Sequence, residues 1–239
     1  MDLKELELAG GDAESHWYYR SKSEMMLSHL SGLTLNRAMD IGSGSGFFAR
    51  QIIQNTECHE VTCIDNGYTA DTTEQVGQKT LGFVRSVDNC DCDLMVMMDV
   101  LEHIEDDVTF LGNYAAMAAP GTHLFVTVPA FQFLWSGHDV FLDHFRRYTL
   151  HSLTHLVRGA GFDIVKAHYF FGAVFPLAAT LRLKDKYLLQ GGAPQSSMRR
   201  HGKAVNWAAY QVCRAEMALM TLNRLAGLSV VMLARKADD

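Results

Sequence analysis

The sequence of 239 residues predicts an α/β fold built on a doubly wound, mostly parallel sheet. Three observations predict it: a β-type run that leads into a glycine-rich turn near residue 42, two later β-type runs that each end in a carboxylate, and amphipathic helical segments between them. Strands that alternate with helices are typical of parallel sheets, because parallel neighbours need a long crossover connection. The glycine turn is the element around which the rest of the chain is arranged.

The glycine loop, residues 42–46, reads Gly-Ser-Gly-Ser-Gly and follows a buried run that ends at Asp40 and Ile41. Glycines at alternate positions let the chain turn sharply and let a ligand approach the backbone, which a Cβ atom would block. The apolar run at 47–53 then predicts a helix. Dinucleotide-binding proteins use the spacing G-x-G-x-x-G, so G-x-G-x-G behind an acidic residue favours a different nucleotide-like cofactor.

Carboxylates follow the next two runs of buried character. The run at 60–64 ends at Asp65, about 20 residues beyond the glycine loop, where a carboxylate can accept hydrogen bonds from ribose hydroxyls. The run at 94–98 leads into Asp99-Val100-Leu101-Glu102-His103. The order strand, glycine loop, helix, strand, carboxylate is that of a nucleotide-binding α/β domain.

These three segments, with the D-V-L-E-H signature at 99–103, resemble the motifs of class I S-adenosylmethionine-dependent methyltransferases, in particular the bacterial quinol O-methyltransferase-like branch (methyltransferase type 11/12). The resemblance covers residues from about 15 to 168 and the last strand. It implies a Rossmann-like sheet of seven strands with the last strand antiparallel. It also implies an enzyme that uses S-adenosyl-L-methionine and releases S-adenosyl-L-homocysteine.

The resemblance further implies which residues contact the cofactor. They lie in the motifs above, in the loop behind a strand predicted at 81–85 and on a leading helix that carries an aromatic-Arg pair: Arg20, Asp40, Gly42, Ser43, Gly44, Gly46, Asp65, Asn66, Asp88, Met98 and Asp99. Two of these assignments have structural alternatives. Arg20 could lie in solvent on a helix fixed by Trp17, and Asp88 could belong to an ordinary turn.

Residues 129–148 form a long loop behind the fifth strand, on the side where open α/β sheets bind ligands. Methyl transfer from a sulfonium needs chiefly positioning, but a hydroxyl acceptor must also lose its proton, and neutral histidine suits that step near pH 7. We therefore predict His138 or His144 as the general base and Asp139 as the residue that orients the imidazole. Trp135, Arg146, Arg147 and Tyr148 are predicted to contact the substrate.

The same polar side chains could instead anchor the loop through salt bridges. A metal site from His138, Asp139 and His144 is a further alternative, but the spacing matches none of the common ligand patterns, so no metal is predicted. His103 is expected to pack or hydrogen-bond structurally rather than to act in catalysis.

The domain organisation follows from where the last strand lies. We expect a flexible N-terminus at 1–14, a methyltransferase domain at 15–169 and 227–236, and a helical insertion at 170–226. Helices are expected at about 15–30, at 72–79 and at 203–225. In the long helix at 203–225, Glu216 and Asn223 fall on one side and could reach a substrate pocket or pair with another helix.

The composition limits the partners. A net charge of −6 argues against nucleic-acid binding, five cysteines lack the spacing of zinc or disulfide frameworks, and no apolar run reaches the ~18 residues of a membrane span. Cytoplasmic localisation is expected.

The stretch 182–203 nevertheless holds six basic residues and one aspartate beside an apolar segment. This favours either a solvated lid or a peripheral membrane or lipid contact through 170–203. The apolar insertion also offers a surface on which two copies of the chain could pair.

The expected function is therefore methylation of a small-molecule acceptor, most simply at a hydroxyl. Two alternatives belong to other classes: a membrane-surface methyltransferase that acts on a lipid or prenylated substrate, and a non-catalytic subunit that binds the cofactor for a partner.

Overall fold

The structure, a computed structural model, describes residues 14–188 and 202–238. Its strands are β1 (Arg37–Ile41), β2 (Glu60–Ile64), β3 (Thr72–Val76), β4 (Lys79–Val84), β5 (Leu94–Met98), β6 (His123–Pro129), β7 (Phe162–Phe170) and β8 (Ser229–Lys236). Its α-helices are α1 (Trp17–Leu30), α2 (Phe47–Asn55), α3 (Asp107–Met117), α4 (Gly137–Phe141), α5 (Leu150–Gly159), α6 (Phe175–Leu188) and α7 (Lys203–Met217). The strands form one sheet in the order β3-β4-β2-β1-β5-β6-β8-β7.

The centre of the sheet is parallel, as expected. Strands β4, β2, β1, β5 and β6 pair in parallel, whereas β8 pairs antiparallel with both β6 and β7. The chain builds outward from β1 on one side and then returns to place β5 against the other side of β1. This reversal makes a switch point between β1 and β5, where ligands bind in open α/β sheets. The expected doubly wound, mostly parallel sheet is confirmed, with the last strand antiparallel.

The sheet has eight strands rather than seven, because the helix expected at 72–79 is wrong. Residues Thr72–Val76 form β3, which pairs antiparallel with β4 from Thr72 opposite Phe83 to Val76 opposite Lys79. Gly77 turns the hairpin with φ of +66°. The β-branched residues Thr72, Thr73 and Val76 favour a strand, and the glycine supplies the left-handed turn.

Two apolar layers cover the sheet, one on each face. Neighbouring residues of β5 alternate between them: Val96 and Met98 pack in one layer, and Met95 and Met97 in the other. Helices α1 and α2 cover the first face, and α3 and α5 cover the second. Strand β5 is buried on both faces, as expected of a central parallel strand.

The insertion packs on α1. The Asn206 side chain accepts a hydrogen bond from the Trp17 backbone N–H at 2.8 Å and donates to the Ser15 carbonyl at 2.6 Å. The Tyr210 hydroxyl donates to Glu24 at 2.5 Å, and Cys213 is buried in the core beneath. Helix α7 is therefore joined to the leading helix by polar and apolar contacts.

The long helix expected at 203–225 ends early, at Met217. The 3₁₀ turn Met220–Leu222 follows. The Asn223 side chain then accepts a hydrogen bond from the Leu225 backbone N–H at 3.1 Å and donates one to the Ala226 carbonyl at 2.9 Å. The Glu216 carboxylate accepts hydrogen bonds from the backbone N–H groups of Gly172 and Ala173 at 2.7 and 3.1 Å. The expected helical position of Asn223 is thus wrong, because the helix ends at Met217, but Glu216 and Asn223 still line one cavity.

Within residues 14–188 and 202–238, no helix is long and apolar enough to cross a membrane. Arg199 and Arg200, two cations of the basic stretch, lie outside the described residues, as do most of the N-terminal 14.

Candidate functional site

The glycine loop adopts a conformation that requires its glycines. Gly42, Gly44 and Gly46 have φ values of +67°, +53° and +72°, in the left-handed region that other residues rarely adopt. A Cβ atom on Gly42 would lie 2.8 Å from the Val100 side chain, and one on Gly46 would lie 2.8 Å from the Phe83 ring. The loop is therefore fixed both by its dihedral angles and by close packing.

Hydrogen bonds join the glycine loop to the end of β2. The Gly42 N–H donates to the Ile64 carbonyl at 2.8 Å, and the Gly44 N–H donates to Asp65 Oδ2 at 2.8 Å. The hydroxyl of Tyr68 lies over the loop, 2.8 Å from both Ser43 Oγ and the Gly44 carbonyl oxygen. Asp65 thus lies beside the glycine loop, as the motif spacing predicts, and a carboxylate that accepts two backbone hydrogen bonds keeps lone pairs for a ligand.

Asp40 is a buried acid behind the glycine loop. Its side chain is 1% exposed, and Oδ2 has no hydrogen-bond partner among the described residues. Burial raises the pKa of Asp40 to about 6. A nearby cationic group would stabilise its charged form. The expected S-adenosylmethionine carries an ammonium and a sulfonium, so the unpaired carboxylate oxygen and the glycine loop fit that cofactor.

Helix α1 brings Lys22, rather than Arg20, to the switch point. The fully buried Lys22 ammonium forms an ion pair with Asp99, which follows β5 with φ of +56°. Burial alone would raise the pKa of Asp99, but the charge of Lys22 holds it below its usual value. Arg20 instead pairs with Glu24 and stacks on the Tyr210 ring at 3.8 Å. These contacts match the alternative of a solvent-facing arginine, and a cofactor contact from Arg20 gains no support.

The remaining predicted cofactor residues lie at the same edge of the sheet. Asn66 is exposed directly after Asp65, and Asp88 is exposed in the loop behind β4. Met98 ends β5 with its side chain buried in the core. Its backbone, not its side chain, therefore faces the ligand edge, and cofactor contacts from these three residues stay predictions.

The loop after β6 is organised around Asp139, which is fully buried. The carboxylate accepts from the Ser136 backbone N–H at 2.9 Å and lies 3.0 Å from Nδ1 of His144. Arg147 donates to both of its oxygens. Burial would raise the pKa of Asp139, but the hydrogen bond from His144 and the charge of Arg147 hold it well below its usual range. An ionised Asp139 therefore orients the imidazole of His144, as the sequence predicts.

His138 does not share this arrangement. Its ring lies 6.5 Å from that of His144, centroid to centroid, on the short helix α4. Of the two histidines proposed as bases, His144 is thus the one that Asp139 holds.

The predicted substrate residues mostly anchor the loop. Arg146 binds Asp107 at 2.7 Å, Arg147 binds Asp139, and the buried Tyr148 hydroxyl donates to Asp107 at 2.7 Å. These contacts match the alternative in which the polar side chains anchor the loop through salt bridges. Trp135 is half-buried at the end of a 3₁₀ turn. Substrate contacts from these four side chains stay predictions without support from their described partners.

The D-V-L-E-H segment meets the loop beside His144. The ring of His103 lies 4.6 Å from that of His144, and the Glu102 carbonyl accepts from the Phe145 N–H at 2.7 Å. Glu102 is 1% exposed and its Oε2 has no hydrogen-bond partner among the described residues. Burial, and then the charge of Asp99, raise the pKa of Glu102 well above its usual value.

The segment at 99–103 joins the glycine loop to the loop that carries His144. Val100 packs against Gly42, and two residues later Glu102 and His103 contact the segment that carries His144. Sequence reasoning missed Lys22, Tyr68 and the partnership of His103 with His144. The sequence signals that could have identified the first two are the position of Lys22, two residues after Arg20, and that of Tyr68, three residues after Asp65.

A family model described as a methyltransferase domain matches residues 18–167. No curated protein sequence matches the chain closely enough to count as a relative.

Three solved structures are similar in fold. A Haloferax volcanii chain described as a methyltransferase, in complex with the Trm112 methyltransferase activator, has a TM-score of 0.58 at 14% identity and covers 97% of this chain and 93% of its own. The N-methyltransferase NodS of Bradyrhizobium japonicum, in complex with S-adenosylhomocysteine, has 0.52 at 16%, with 92% and 88% covered. The Haemonchus contortus phosphoethanolamine N-methyltransferase 2 has 0.53 at 13%, with 91% and 53% covered.

Proposed function

Because this chain belongs to the methyltransferase-domain family and is a class I S-adenosylmethionine-dependent methyltransferase, we propose that it methylates a hydroxyl group of a small-molecule acceptor. The observation that carries the proposal is the buried Asp139–His144 pair. This pair lies in the loop after β6, at the carboxyl end of a parallel strand, and can activate an acceptor that has a proton to lose.

The residues of the chain fit the cofactor at the switch point. When bound, S-adenosylmethionine supplies a methyl group on a sulfonium whose leaving group is a neutral thioether. Asp65 would accept hydrogen bonds from the ribose, and the glycine loop would let the cofactor approach the backbone. Asp40 would place a negative charge near the cationic end of the cofactor.

His144 is suited to take up the proton of the acceptor. Its Nδ1–H points to Asp139, so Nε2 is the basic nitrogen in the neutral tautomer. An ionised carboxylate on one ring nitrogen stabilises the imidazolium that forms when the other nitrogen accepts a proton. The acceptor oxygen would then attack the methyl carbon, while the proton stays on His144.

A hydroxyl acceptor is favoured over an amine by this arrangement. An alcohol or phenol must lose its proton for attack, whereas an unprotonated amine can attack first and lose its proton afterwards. A buried imidazole that a carboxylate orients is needed only in the first case. The N-methyltransferases among the similar structures share the fold at 13 and 16% identity, which leaves the acceptor atom to be tested.

The test is turnover of His144→Ala against His138→Ala, with a panel of phenols, sugars and amines as acceptors and release of S-adenosylhomocysteine as the readout. We expect His144→Ala to lower turnover of a hydroxyl acceptor about 10²- to 10⁴-fold. His138→Ala should stay close to the parent, and both variants should bind S-adenosylhomocysteine as the parent does. A His144→Ala enzyme with parental turnover, or a parent that methylates only amines, would refute the proposal.

A membrane-surface enzyme that acts on a lipid or prenylated substrate is the second candidate. Its support is an exposed apolar surface on and behind α7: Trp207 is 65% exposed, Leu222 74% and Leu225 89%. A cavity of about 450 Å³ adjoins this surface and is lined by Val212 and Leu219 among others. Basic residues of the 182–203 stretch would add attraction to anionic lipid.

Vesicle co-sedimentation tests this candidate. The candidate is supported if the chain binds anionic vesicles and Trp207→Ser weakens this binding. If the chain instead forms a dimer and Trp207→Ser abolishes the dimer, the apolar surface is an interface with a second copy. The absence of both leaves the small soluble acceptor as the substrate class, with the cytoplasm as the compartment we propose.

The third candidate function is that of a non-catalytic subunit that binds the cofactor for a partner protein. The Haloferax volcanii structure pairs a chain of this fold with an activator protein. Acceptor turnover by the purified chain alone would exclude a purely non-catalytic role here.

A further inference from the structure

We propose that Glu102, His103 and His144 bind one divalent transition-metal ion. One ligand atom of each residue lies within 4.8 Å of those of the other two. The three residues come from two segments, the 3₁₀ turn Leu101–His103 and the loop after β6, so the spacing of motifs along the sequence does not reveal the group.

The ligand atoms of the three residues are nearly as close together as the ligands of a bound ion. Metal–nitrogen and metal–oxygen bonds of about 2.0–2.2 Å place tetrahedral ligands roughly 3.4 Å apart. Atoms within 4.8 Å of one another are at most about 1.4 Å further apart than this separation. The two segments are held together by the hydrogen bond from the Phe145 N–H to the Glu102 carbonyl at 2.7 Å.

An unsatisfied carboxylate oxygen is the second, independent observation. Glu102 is 1% exposed, and Oε2 has no hydrogen-bond partner among the described residues. A buried polar atom without a partner is costly unless a ligand satisfies it. A cation between Glu102 and the two imidazoles would supply that missing partner.

The surroundings of His144 match those of a metal-ligating histidine. Such histidines commonly donate their second ring nitrogen to a carboxylate, which fixes the ring and its tautomer. Asp139 fills this position at Nδ1 and is itself held by Arg147 and by the Ser136 N–H. Nε2 of His144 therefore remains as the ligand atom.

The ligand chemistry selects the kind of ion. Two imidazoles and one carboxylate suit Zn²⁺, Mn²⁺, Fe²⁺ or Co²⁺, and three protein ligands leave at least one coordination position open. This inference rests on the proposed function only in that an acceptor oxygen could fill the open position. Coordination and proton uptake use the same lone pair of His144, so this histidine acts as the general base only in the metal-free chain. An ion in the site would instead lower the pKa of the bound hydroxyl, whose proton would pass to water.

The test is direct metal binding to the untagged full chain, without cofactor or acceptor. Zn²⁺ is titrated calorimetrically, and Co²⁺ is followed through its visible d–d absorption. His151 and His155 lie one turn apart and exposed on α5, so both are first replaced by alanine to remove a competing surface pair. We expect one ion per chain, with affinity reduced at least tenfold by each of Glu102→Gln, His103→Gln and His144→Ala, and unchanged by His138→Ala.

Folding of the variants is checked by thermal unfolding in the absence of metal, and Glu102→Gln, which keeps the shape of the side chain, guards against a variant that unfolds. Absence of binding, or binding that all three variants retain, would overturn the proposal. Because the readout needs no methyl transfer, a failed metal site and a failed acceptor assignment give different results.

Discussion

Arg147 donates to Asp139 through two nitrogens, with Nε 2.7 Å from Oδ1 and Nη2 3.1 Å from Oδ2, and both side chains are almost fully buried. The same carboxylate faces Nδ1 of His144. The guanidinium thus keeps in place, and ionised, the group that orients the candidate catalytic histidine.

Arg147→Met should lower the free energy of unfolding by about 3–5 kcal/mol, because it leaves Asp139 buried without its counter-charge. Urea denaturation measures the change. Arg146→Met is the matched control on the next residue, whose partially exposed ion pair with Asp107 should cost about 1 kcal/mol or less. Equal losses in the free energy of unfolding would show that the buried Arg147–Asp139 pair does not stabilise the protein more than the partially exposed Arg146–Asp107 pair.

Asp139→Asn should reduce turnover of a hydroxyl acceptor about 10²- to 10⁴-fold, because an amide no longer holds His144 as the proton-accepting tautomer. The affinity for S-adenosylhomocysteine should not change. Steady-state kinetics and calorimetry measure the two quantities. A loss of cofactor affinity as large as the loss of turnover would show that Asp139 acts on the fold rather than on the histidine.

Lys22 and Asp99 should be energetically coupled. In a double-mutant cycle of Lys22→Met and Asp99→Asn, we expect an interaction energy of roughly 1–3 kcal/mol in unfolding experiments, since each single change leaves a charge at the buried contact. Additive effects would contradict the ion pair between α1 and the end of β5.

Gly46→Ala should cost about 2–3 kcal/mol of stability and weaken cofactor binding, since its backbone is left-handed and the new methyl group would lie 2.8 Å from the Phe83 ring. Gly77→Ala is the control: its φ is similar at +66°, but nothing lies within 4 Å of the added Cβ. Gly77→Ala should lower the free energy of unfolding only by the cost of a left-handed backbone at alanine, about 1–2 kcal/mol. Chemical denaturation of both variants separates strain from steric overlap.

The contribution of His168 to stability should fall as the pH drops from about 6.5 to 4, while the raised pKa of Asp40 acts in the opposite direction. His168 is buried, with Nε2 2.9 Å from that of His29, and burial, followed by the positive charges of His29, Arg224 and Lys166, lowers its pKa to about 4. The unfolded chain then binds the proton first, so the folded state loses stability as the pH decreases through this window.

The full shift corresponds to about 3 kcal/mol. Urea midpoints of the parent and of His168→Phe across this range measure it, and the stability of the parent relative to the variant should decrease as the pH falls. An equal slope in both proteins would contradict the assignment to His168.

The sequence was sufficient for the centre of the fold because local signals there agree with the tertiary structure. The strand before the glycine loop, the helix after it and the carboxylate at Asp65 all lie where their spacing predicts. Where short-range pattern is ambiguous, as at Thr72–Val76, pairing with β4 decides the structure.

The site was only partly predictable. The Asp139–His144 pair is local, five residues apart, and both residues are candidates from the sequence, as is Arg147; Ser136, which also holds Asp139, is not. Lys22 with Asp99, and His103 with His144, are contacts between segments more than 40 residues apart along the chain. Spacing within one motif carries no information on such contacts, so it could not show that Lys22, two residues after Arg20, pairs with Asp99.

The most direct measurement of the central claim is calorimetric titration of the purified chain and of Gly44→Val with S-adenosylmethionine, S-adenosylhomocysteine and the nicotinamide dinucleotides. We predict micromolar binding of the first two ligands to the parent, none of the dinucleotides, and no binding to the variant, whose β-branched side chain cannot adopt φ of +53° without strain. Binding of a dinucleotide, or equal affinity of the folded Gly44→Val variant for S-adenosylhomocysteine, would contradict the assignment of the glycine loop as the cofactor site.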